Sequence, residues 1–144
     1  YLITRDDIVS WEEAHGDIPA GSIVLFRTGF AKRWPDAANY LGTAERGADA
    51  VPKLHFPGLA ADAAEYLVEK PDIAAVGLDT ASIDRGQSAD FMVHRILFKR
   101  GIPAFENVAD MSALPATGAL VIALPMKIAG GSGGPLRIVA FVPE

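Results

Sequence analysis

Two short and mainly apolar runs constrain this chain most, because each follows a segment with the marks of an amphipathic helix. Residues 22–27 (Ser-Ile-Val-Leu-Phe-Arg) and 73–79 (Ile-Ala-Ala-Val-Gly-Leu-Asp) have the length and composition expected of buried strands. Helices alternate with strands early in the chain, and paired strands close it. This order is typical of an α/β protein with a mixed sheet and flanking helices.

Capping residues mark where the helices begin. Thr4 precedes two acidic residues, so its hydroxyl is suited to cap a helix over residues 5–15. A second helix is predicted over about 59–69, where a proline soon follows. A third is predicted to start at Ser88 and Asp90. The chain runs almost directly into the first of these helices, which leaves little room for a leading element.

The remaining strands are predicted near the end of the chain. Residues 103–106 form a short strand, and the apolar runs 118–128 and 136–142 resemble a hairpin joined by the loop 130–134 (Gly-Gly-Ser-Gly-Gly). The long connection 28–57 is rich in Gly, Pro, Asn and Asp. So long a connection in a compact domain is more often functional or partly helical than idle.

Length and charge exclude several classes of protein. With 144 residues, half of them hydrophobic, residues 1–144 are expected to fold as a single domain. The net charge of −5 and the lack of a basic run argue against nucleic acid as a partner. No apolar run approaches the roughly 20 residues that cross a bilayer. The absence of cysteine suits a cytoplasmic protein.

His94 and Glu106 are the strongest candidates for chemistry. A helix is predicted to carry the histidine, and the next strand ends on the glutamate. Imidazole nitrogen and carboxylate oxygen are both good ligands for zinc or manganese. Taken alone, however, one histidine among apolar neighbours is more often a hydrogen-bonded core residue.

The flanking sequence resembles the cyclase family of metal-dependent hydrolases, which includes kynurenine formamidase and isatin hydrolase. The matching stretches follow the family's order over nearly the whole chain. They are Ile-Pro-Ala-Gly-Ser-Ile-Val-Leu-Phe-Arg-Thr-Gly at 18–29, Phe-Pro-Gly-Leu at 56–59, Val-Gly-Leu-Asp-Thr-Ala-Ser-Ile-Asp at 76–84, Val-His through Glu-Asn at 93–107, and Leu-Pro-Met-Lys-Ile at 124–128 leading into Gly-Ser-Gly-Gly-Pro-Leu-Arg at 131–137.

The resemblance implies the family's swivelling β/β/α architecture, with His94 and Glu106 as metal ligands from its second half. The family's signature, His-x-Gly-Thr-His-x-Asp-x-Pro-x-His, supplies the other ligands and a histidine thought to act as general base, and it is absent here. The nearest imitation is His15-Gly-Asp17-Ile-Pro19, in which His15 is better explained as a helix-end residue. The chain therefore corresponds to the later two thirds of the family's sequence.

Short polar residues follow the strand at 73–79, where α/β proteins tend to place ligand groups. These residues serve as turn formers and caps more often than as catalysts. We expect Asp79 to contact the metal ligands without binding the metal itself, and to orient His94 or the loop. The group consists of Asp79, Thr80, Ser82 and Asp84.

Three further residues are candidate substrate contacts. Ser132 lies in the glycine-rich loop, whose counterpart in the family borders the active site. Phe30 and Trp34 could wall an aromatic substrate, although plain packing explains each equally well. His55 is expected to be an exposed residue of the long connection.

Two classes of function remain open from the sequence. The first is a metal-dependent hydrolase of a small formamide, cyclic amide or lactone, with negligible activity expected for these 144 residues alone. The second is a metal-free binding or assembly module derived from the same family. A third possibility is that another polypeptide completes the site. Self-association into a dimer or tetramer is expected, because absent leading strands would leave apolar surface and a sheet edge exposed.

Overall fold

A computed structural model describes residues 1–143, which form two compact units. The first unit comprises Tyr1–Ser112, and the second begins at Ala113. Strands and helices alternate through the first unit. In chain order they are β1 (Leu2–Ile3), α1 (Arg5–His15), β2 (Ile23–Phe26), α2 (Ala37–Leu41), β3 (Gly58–Leu59), α3 (Ala61–Glu69), β4 (Ala75–Leu78), α4 (Met92–Lys99) and β5 (Ala104–Phe105).

A three-stranded parallel sheet lies at the centre of the first unit. Its strand order is β2-β4-β5, with Ile23 opposite Ala75 and Val76 opposite Ala104. β4 is buried along its whole length, as expected for a strand covered on both faces. The carboxyl ends of these parallel strands lie at one edge of the sheet, and the residues that follow them are brought together there.

A second parallel pairing joins β1 to β3, with Leu2 opposite Gly58 and Ile3 opposite Leu59. The expectation that the chain leaves little room for an element before α1 is therefore wrong. This two-residue strand forms by pairing with residues more than fifty positions away. For that reason no local sequence pattern predicts it.

The helices bury apolar faces against the sheet. Thr4 and Asp7 form a reciprocal capping box that starts α1, which confirms the predicted helix over 5–15. α3 buries Ala63, Ala64 and Leu67. The core is closed by side chains from strands, helices and the loop after β4, among them Leu59, Leu67, Val76, Leu78, Ile83, Val93 and Leu97.

The third predicted helix begins later than expected. Ser88 and Asp90 lie before it, and α4 starts at Met92 because Phe91 adopts a left-handed conformation with φ of 51°. The Phe91 N–H donates to the Ser88 hydroxyl at 3.2 Å, so these residues form the turn that leads into the helix. The long connection 28–57 is partly helical, with α2 and short 3₁₀ helices at Phe30–Arg33 and Ala48–Lys53.

The second unit contains an antiparallel hairpin of β6 (Leu120–Pro125) and β7 (Leu136–Phe141). Leu120 pairs with Phe141 and Ile122 with Val139, and these four side chains are exposed on one face. The hairpin confirms the predicted pairing of the last two apolar runs. Parallel and antiparallel pairings together confirm the α/β class.

Within residues 1–143, no helix is both long enough and apolar enough to cross a lipid bilayer.

Candidate metal and substrate site

Asp79 is the first residue after β4, and its carboxylate is almost completely buried. It accepts hydrogen bonds from the Thr28 backbone N–H at 2.8 Å, the Thr28 hydroxyl at 2.6 Å and the Gly29 N–H at 2.8 Å. A longer bond, 3.4 Å, comes from the N–H of Ala31. Asp79 therefore holds the start of the long connection that follows β2.

His94 lies in the first turn of α4, on the border between the core and solvent. Val93 and Leu97 of the same helix are buried, whereas the His94 side chain keeps 24% of its surface exposed. The imidazole meets the rings of Phe91 and Phe98 edge-on, with centroid distances of 5.9 and 5.3 Å. These rings limit the directions in which the imidazole can turn.

Glu106 follows β5 directly and converges with His94. Its Oε1 atom lies 3.1 Å from His94 Nε2 and accepts the backbone N–H of Ile83 at 3.1 Å. The helix and the strand that the sequence assigned to these two residues thus bring their side chains to one point at the carboxyl edge of the sheet. Ser132 lies exposed in the loop between β6 and β7 of the second unit.

The carboxylate that contacts His94 belongs to Asp84. Asp84 Oδ2 lies 2.5 Å from His94 Nδ1, while Asp79 contacts the connection instead. The two aspartates follow the same strand, and sequence reasoning named both but favoured Asp79 for this role. Both aspartates lie between this buried strand and the helix that carries the histidine, so no signal in the sequence distinguished them.

The donor set around Glu106 suits a divalent cation. If His94 Nδ1 carries the proton shared with Asp84, its Nε2 lone pair faces the lone pairs of Glu106 Oε1. That contact is attractive only with a proton on Nε2 or a cation between the two atoms. Ligand distances of about 2.0–2.2 Å to one tetrahedral zinc ion place neighbouring donors about 3.3–3.6 Å apart. The observed 3.1 Å is shorter and lies within the range of a direct hydrogen bond, so the two side chains would have to separate by a few tenths of an ångström to share one ion.

Two potential metal donors, His94 and Glu106, converge at this point of the described residues. In the stretch that the structure describes, no group of three or more His, Cys, Asp or Glu residues is arranged to hold a metal ion. A metal ion held by these two residues would therefore need further donors from elsewhere.

Tyr40 is a buried residue of this region that sequence reasoning missed. Its hydroxyl donates to Asn107 Oδ1 at 3.0 Å and also contacts the Asp79 carbonyl at 3.3 Å. Burial, and to a lesser extent the negative charges of Asp79 and Glu106, together raise the pKa of the phenol to about 12. Tyr40 thus stays neutral and fixes Asn107, the residue after Glu106. Its place in a polar connection gave no signal.

Phe30 lines a cavity of about 580 Å³ in the first unit. The cavity walls include the cationic side chains Arg33 and Arg85 together with His55, which is exposed as expected. The described lining does not include His94 or Glu106. Trp34 is 67% exposed and meets Tyr40 edge-on at 5.5 Å between ring centroids, and the described lining of this cavity does not include it.

His15 is the last residue of α1, as the sequence predicted. Its ring contacts that of Trp11 at a centroid distance of 4.9 Å, with the two planes tilted by 37°. His15 is exposed and lies on α1, whereas His94 lies on α4.

The first unit combines an α/β fold with a histidine and a glutamate that converge beside a parallel sheet. These two features define the class of protein that this chain resembles. The chain belongs to the cyclase family, whose model matches residues 1–85. That match ends before His94, so the family assignment rests on residues other than the candidate ligands.

Two relatives extend the match. An isatin hydrolase from Roseibium aggregatum is 38% identical over 148 aligned residues, which cover all of this chain and 54% of the relative. A kynurenine formamidase from Bacillus thuringiensis is 36% identical over 84 residues, covering 58% of this chain and 39% of the relative. The chain spans about half the length of the isatin hydrolase.

Solved structures agree. A crystal structure of an isatin hydrolase bound to the product analogue thioisatinate matches the whole chain with a TM-score of 0.88 at 38% identity, over 54% of its own length. A structure described as a potential metal-dependent hydrolase with cyclase activity matches 95% of the chain at a TM-score of 0.66 and 29% identity, over 56% of its own length. The predicted family is thereby confirmed.

Proposed function

We propose that this chain is the ligand-bearing second part of a metal-dependent hydrolase that acts on a small formamide or cyclic amide. One observation carries the proposal: His94 Nε2 and Glu106 Oε1 converge to 3.1 Å in a chain 38% identical to an isatin hydrolase. His94 and Glu106 would hold a divalent ion, zinc or manganese. Residues outside this chain would supply the remaining ligands and the histidine that shuttles the proton.

The residues of this chain would act by holding the metal ligands in place and by orienting the substrate. The Ile83 N–H fixes one Glu106 oxygen, and Asp79 fixes the start of the connection that carries Phe30. A bound divalent ion would supply polarisation of the scissile carbonyl and activation of water. Phe30 is proposed to wall the substrate, with Trp34 and Ser132 as further contacts. The fold of residues 1–144 as one domain, and dimer or tetramer formation, stay predictions.

Activity measurements test this proposal. The 144-residue chain and the product of its complete gene would be assayed with N-formylkynurenine and isatin in the presence of zinc or manganese. The gene product should turn over one of these substrates, and the chain alone should show negligible activity because its described part provides only two ligands. Robust turnover by the isolated chain would show that two ligands suffice and would contradict the incomplete site.

A matched pair of histidine variants makes the test specific. In the complete gene product, His94→Asn should lower kcat/KM by more than about 100-fold, because losing a ligand costs more than the 10–100-fold typical of the groups behind it. His15→Asn alters an exposed helix-end residue and should leave kcat/KM unchanged. Full activity and full metal content in His94→Asn would overturn the proposed ligand set.

The second candidate function is a metal-free binding or assembly module, which the exposed apolar face of the β6–β7 hairpin favours. Elemental analysis of the purified gene product separates the two. About one equivalent of zinc or manganese per chain supports the hydrolase, whereas a metal-free protein without hydrolytic activity supports the module.

A further inference from the structure

Asp84 is a buried carboxylate that sits between β4 and α4 and is 4% exposed. Its position is fixed from the other side by β3, since Leu59 forms an isolated parallel bridge with Asp84. A Cβ atom added at Gly58 would come within 2.2 Å of the Arg85 backbone nitrogen. The backbone around Asp84 is therefore packed against β3 without room to shift.

The Asp84 carboxylate closes the amino-terminal end of α4. Phe91, at the position before the helix, offers no side-chain cap. Asp84 Oδ1 instead accepts the Val93 N–H at 3.1 Å, and Oδ2 accepts the His94 N–H at 3.3 Å. These are two of the N–H groups that a helix leaves without internal partners. A carboxylate there also interacts favourably with the positive end of the helix dipole.

The same carboxylate holds the His94 ring. Asp84 Oδ2 lies 2.5 Å from Nδ1, and because a carboxylate only accepts, Nδ1–H is the donor in this contact. Nε2 is the atom that faces Glu106 Oε1 at 3.1 Å. The Asp84 carboxylate thus fixes the positions of both the backbone N–H and the ring of His94.

Ile83, the residue before Asp84, contacts the other candidate ligand, Glu106. The Ile83 N–H donates to Glu106 Oε1 at 3.1 Å, and the Ile83 carbonyl accepts the Leu59 N–H at 2.8 Å. Ile83 itself is fully buried. Two adjacent residues, Ile83 and Asp84, therefore hold Glu106 and His94 on a rigid piece of backbone.

We infer that Asp84 is the positioning residue of this site: it fixes the ring direction of His94 and holds a proton on Nδ1, so that Nε2 is the nitrogen left to take a metal ion. The inference rests on the proposed function for the role of His94, but the orientation itself is a property of the metal-free chain. Asp79, the other carboxylate after β4, is engaged by Thr28 and Gly29 and does not share this task. Asp84 touches neither substrate nor reacting atoms in this scheme.

Nitrogen NMR of the histidine rings decides the inference directly. At mildly alkaline pH and without metal, wild-type His94 should show a proton on Nδ1 that is hydrogen-bonded to a carboxylate, whereas exposed His15 should show the Nε2–H tautomer that free imidazole side chains favour. Asp84→Asn should lose the Nδ1–H preference, and Asp90→Asn, which changes an exposed acid beside the same helix, should keep it. A wild-type His94 without a proton on Nδ1 would overturn the inference without any variant being needed.

Metal affinity supplies the second readout. Zinc alone, in competition with a chromophoric chelator, should bind Asp84→Asn about 10–100-fold more weakly than wild type, the loss typical of groups that orient ligands. Asp84→Glu should recover part of that affinity, while Asp90→Asn should match wild type. Equal affinity and an unchanged tautomer in a folded Asp84→Asn would refute the positioning role.

The two readouts separate this inference from the proposed function. If the tautomer follows Asp84 but His94→Asn leaves zinc binding unchanged, the metal site fails and the orientation by Asp84 stands. If His94→Asn abolishes zinc binding but Asp84→Asn does not alter tautomer or affinity, the metal site stands and the inference fails.

Discussion

The Asp79 carboxylate accepts hydrogen bonds from both the backbone N–H and the hydroxyl of Thr28, at 2.8 and 2.6 Å. This contact joins the carboxyl ends of β2 and β4, the two strands whose pairing forms most of the parallel sheet. Because the carboxylate is buried and hydrogen-bonded, it is a structural anchor of the sheet edge on which His94 and Glu106 converge.

Replacing Asp79 with asparagine should destabilise the protein by about 2–4 kcal/mol, because hydrogen bonds to a charged group are worth roughly 1.5–3 kcal/mol each and buried donors would lose their acceptor. Urea unfolding followed by circular dichroism measures the change. Asp49→Asn, in an exposed 3₁₀ helix, is the matched control and should alter stability by less than about 0.5 kcal/mol. Equal stability of the two variants would contradict the anchor role.

Tyr40 should make the protein sensitive to alkali. Its pKa is raised from 10.0 to about 12 in the fold, so the neutral phenol stabilises the folded state below pH 10. As pH rises from 10 to 12, the unfolded chain ionises first, and the free energy of unfolding should fall by about 1.4 kcal/mol per pH unit.

The measurement is urea unfolding across that pH range, with the tyrosinate absorbance band recorded in parallel. Tyr40→Phe removes the titrating group and should show a shallower decline than wild type. An identical decline in both proteins would assign the alkaline loss to other groups.

Glu12 should produce a corresponding dependence in acid. Burial raises the pKa of its carboxyl, but hydrogen bonds from Lys70, Tyr66 and the Ile18 N–H outweigh this effect and lower it below the ordinary value of 4.5. The ionised group therefore stabilises the fold above pH 4.5, and this contribution should be lost as pH falls through the lowered pKa.

Glu12→Gln should cost about 1–3 kcal/mol near neutral pH and flatten the acid dependence of the free energy of unfolding. Glu13→Gln, one position along on the exposed face of α1, should leave both nearly unchanged. Thermal unfolding at a series of pH values compares them. A Glu12→Gln protein with wild-type acid dependence would rule out this carboxylate as the cause.

Gly58→Ala should be strongly destabilising, because the added methyl would meet the backbone of Arg85 at 2.2 Å and of Asp84 at 2.4 Å. Overpacking of this kind costs about 1–3 kcal/mol or more. Gly133→Ala is the control, since nothing lies within 4 Å of its added Cβ. Chemical unfolding should separate the two variants clearly, and comparable stability would mean that β3 can move away from the loop after β4.

Local patterns in the sequence were enough to predict most elements. The Thr4 cap, the apolar runs of β2 and β4, and the glycine-rich turn between β6 and β7 act over a few residues, and their predicted structures are present. The family was also predicted, from several short stretches that match it in the same order along the chain. Such a match extends over distant segments, whereas hydrophobic periodicity describes one helix or strand at a time. The order of residues around His94 and Glu106 therefore indicated a pair before any distance was known.

The tertiary structure decided which side chains serve that pair. Asp79 and Asp84 both follow β4, and only the path of the chain past β3 determines that Asp84 contacts His94 while Asp79 contacts Thr28. The β1–β3 pairing and the burial of Tyr40 depend likewise on residues distant in sequence. Local propensity fixes backbone conformation over one or two turns, whereas a hydrogen-bond partner is set by the packing of segments that meet only when the whole unit folds.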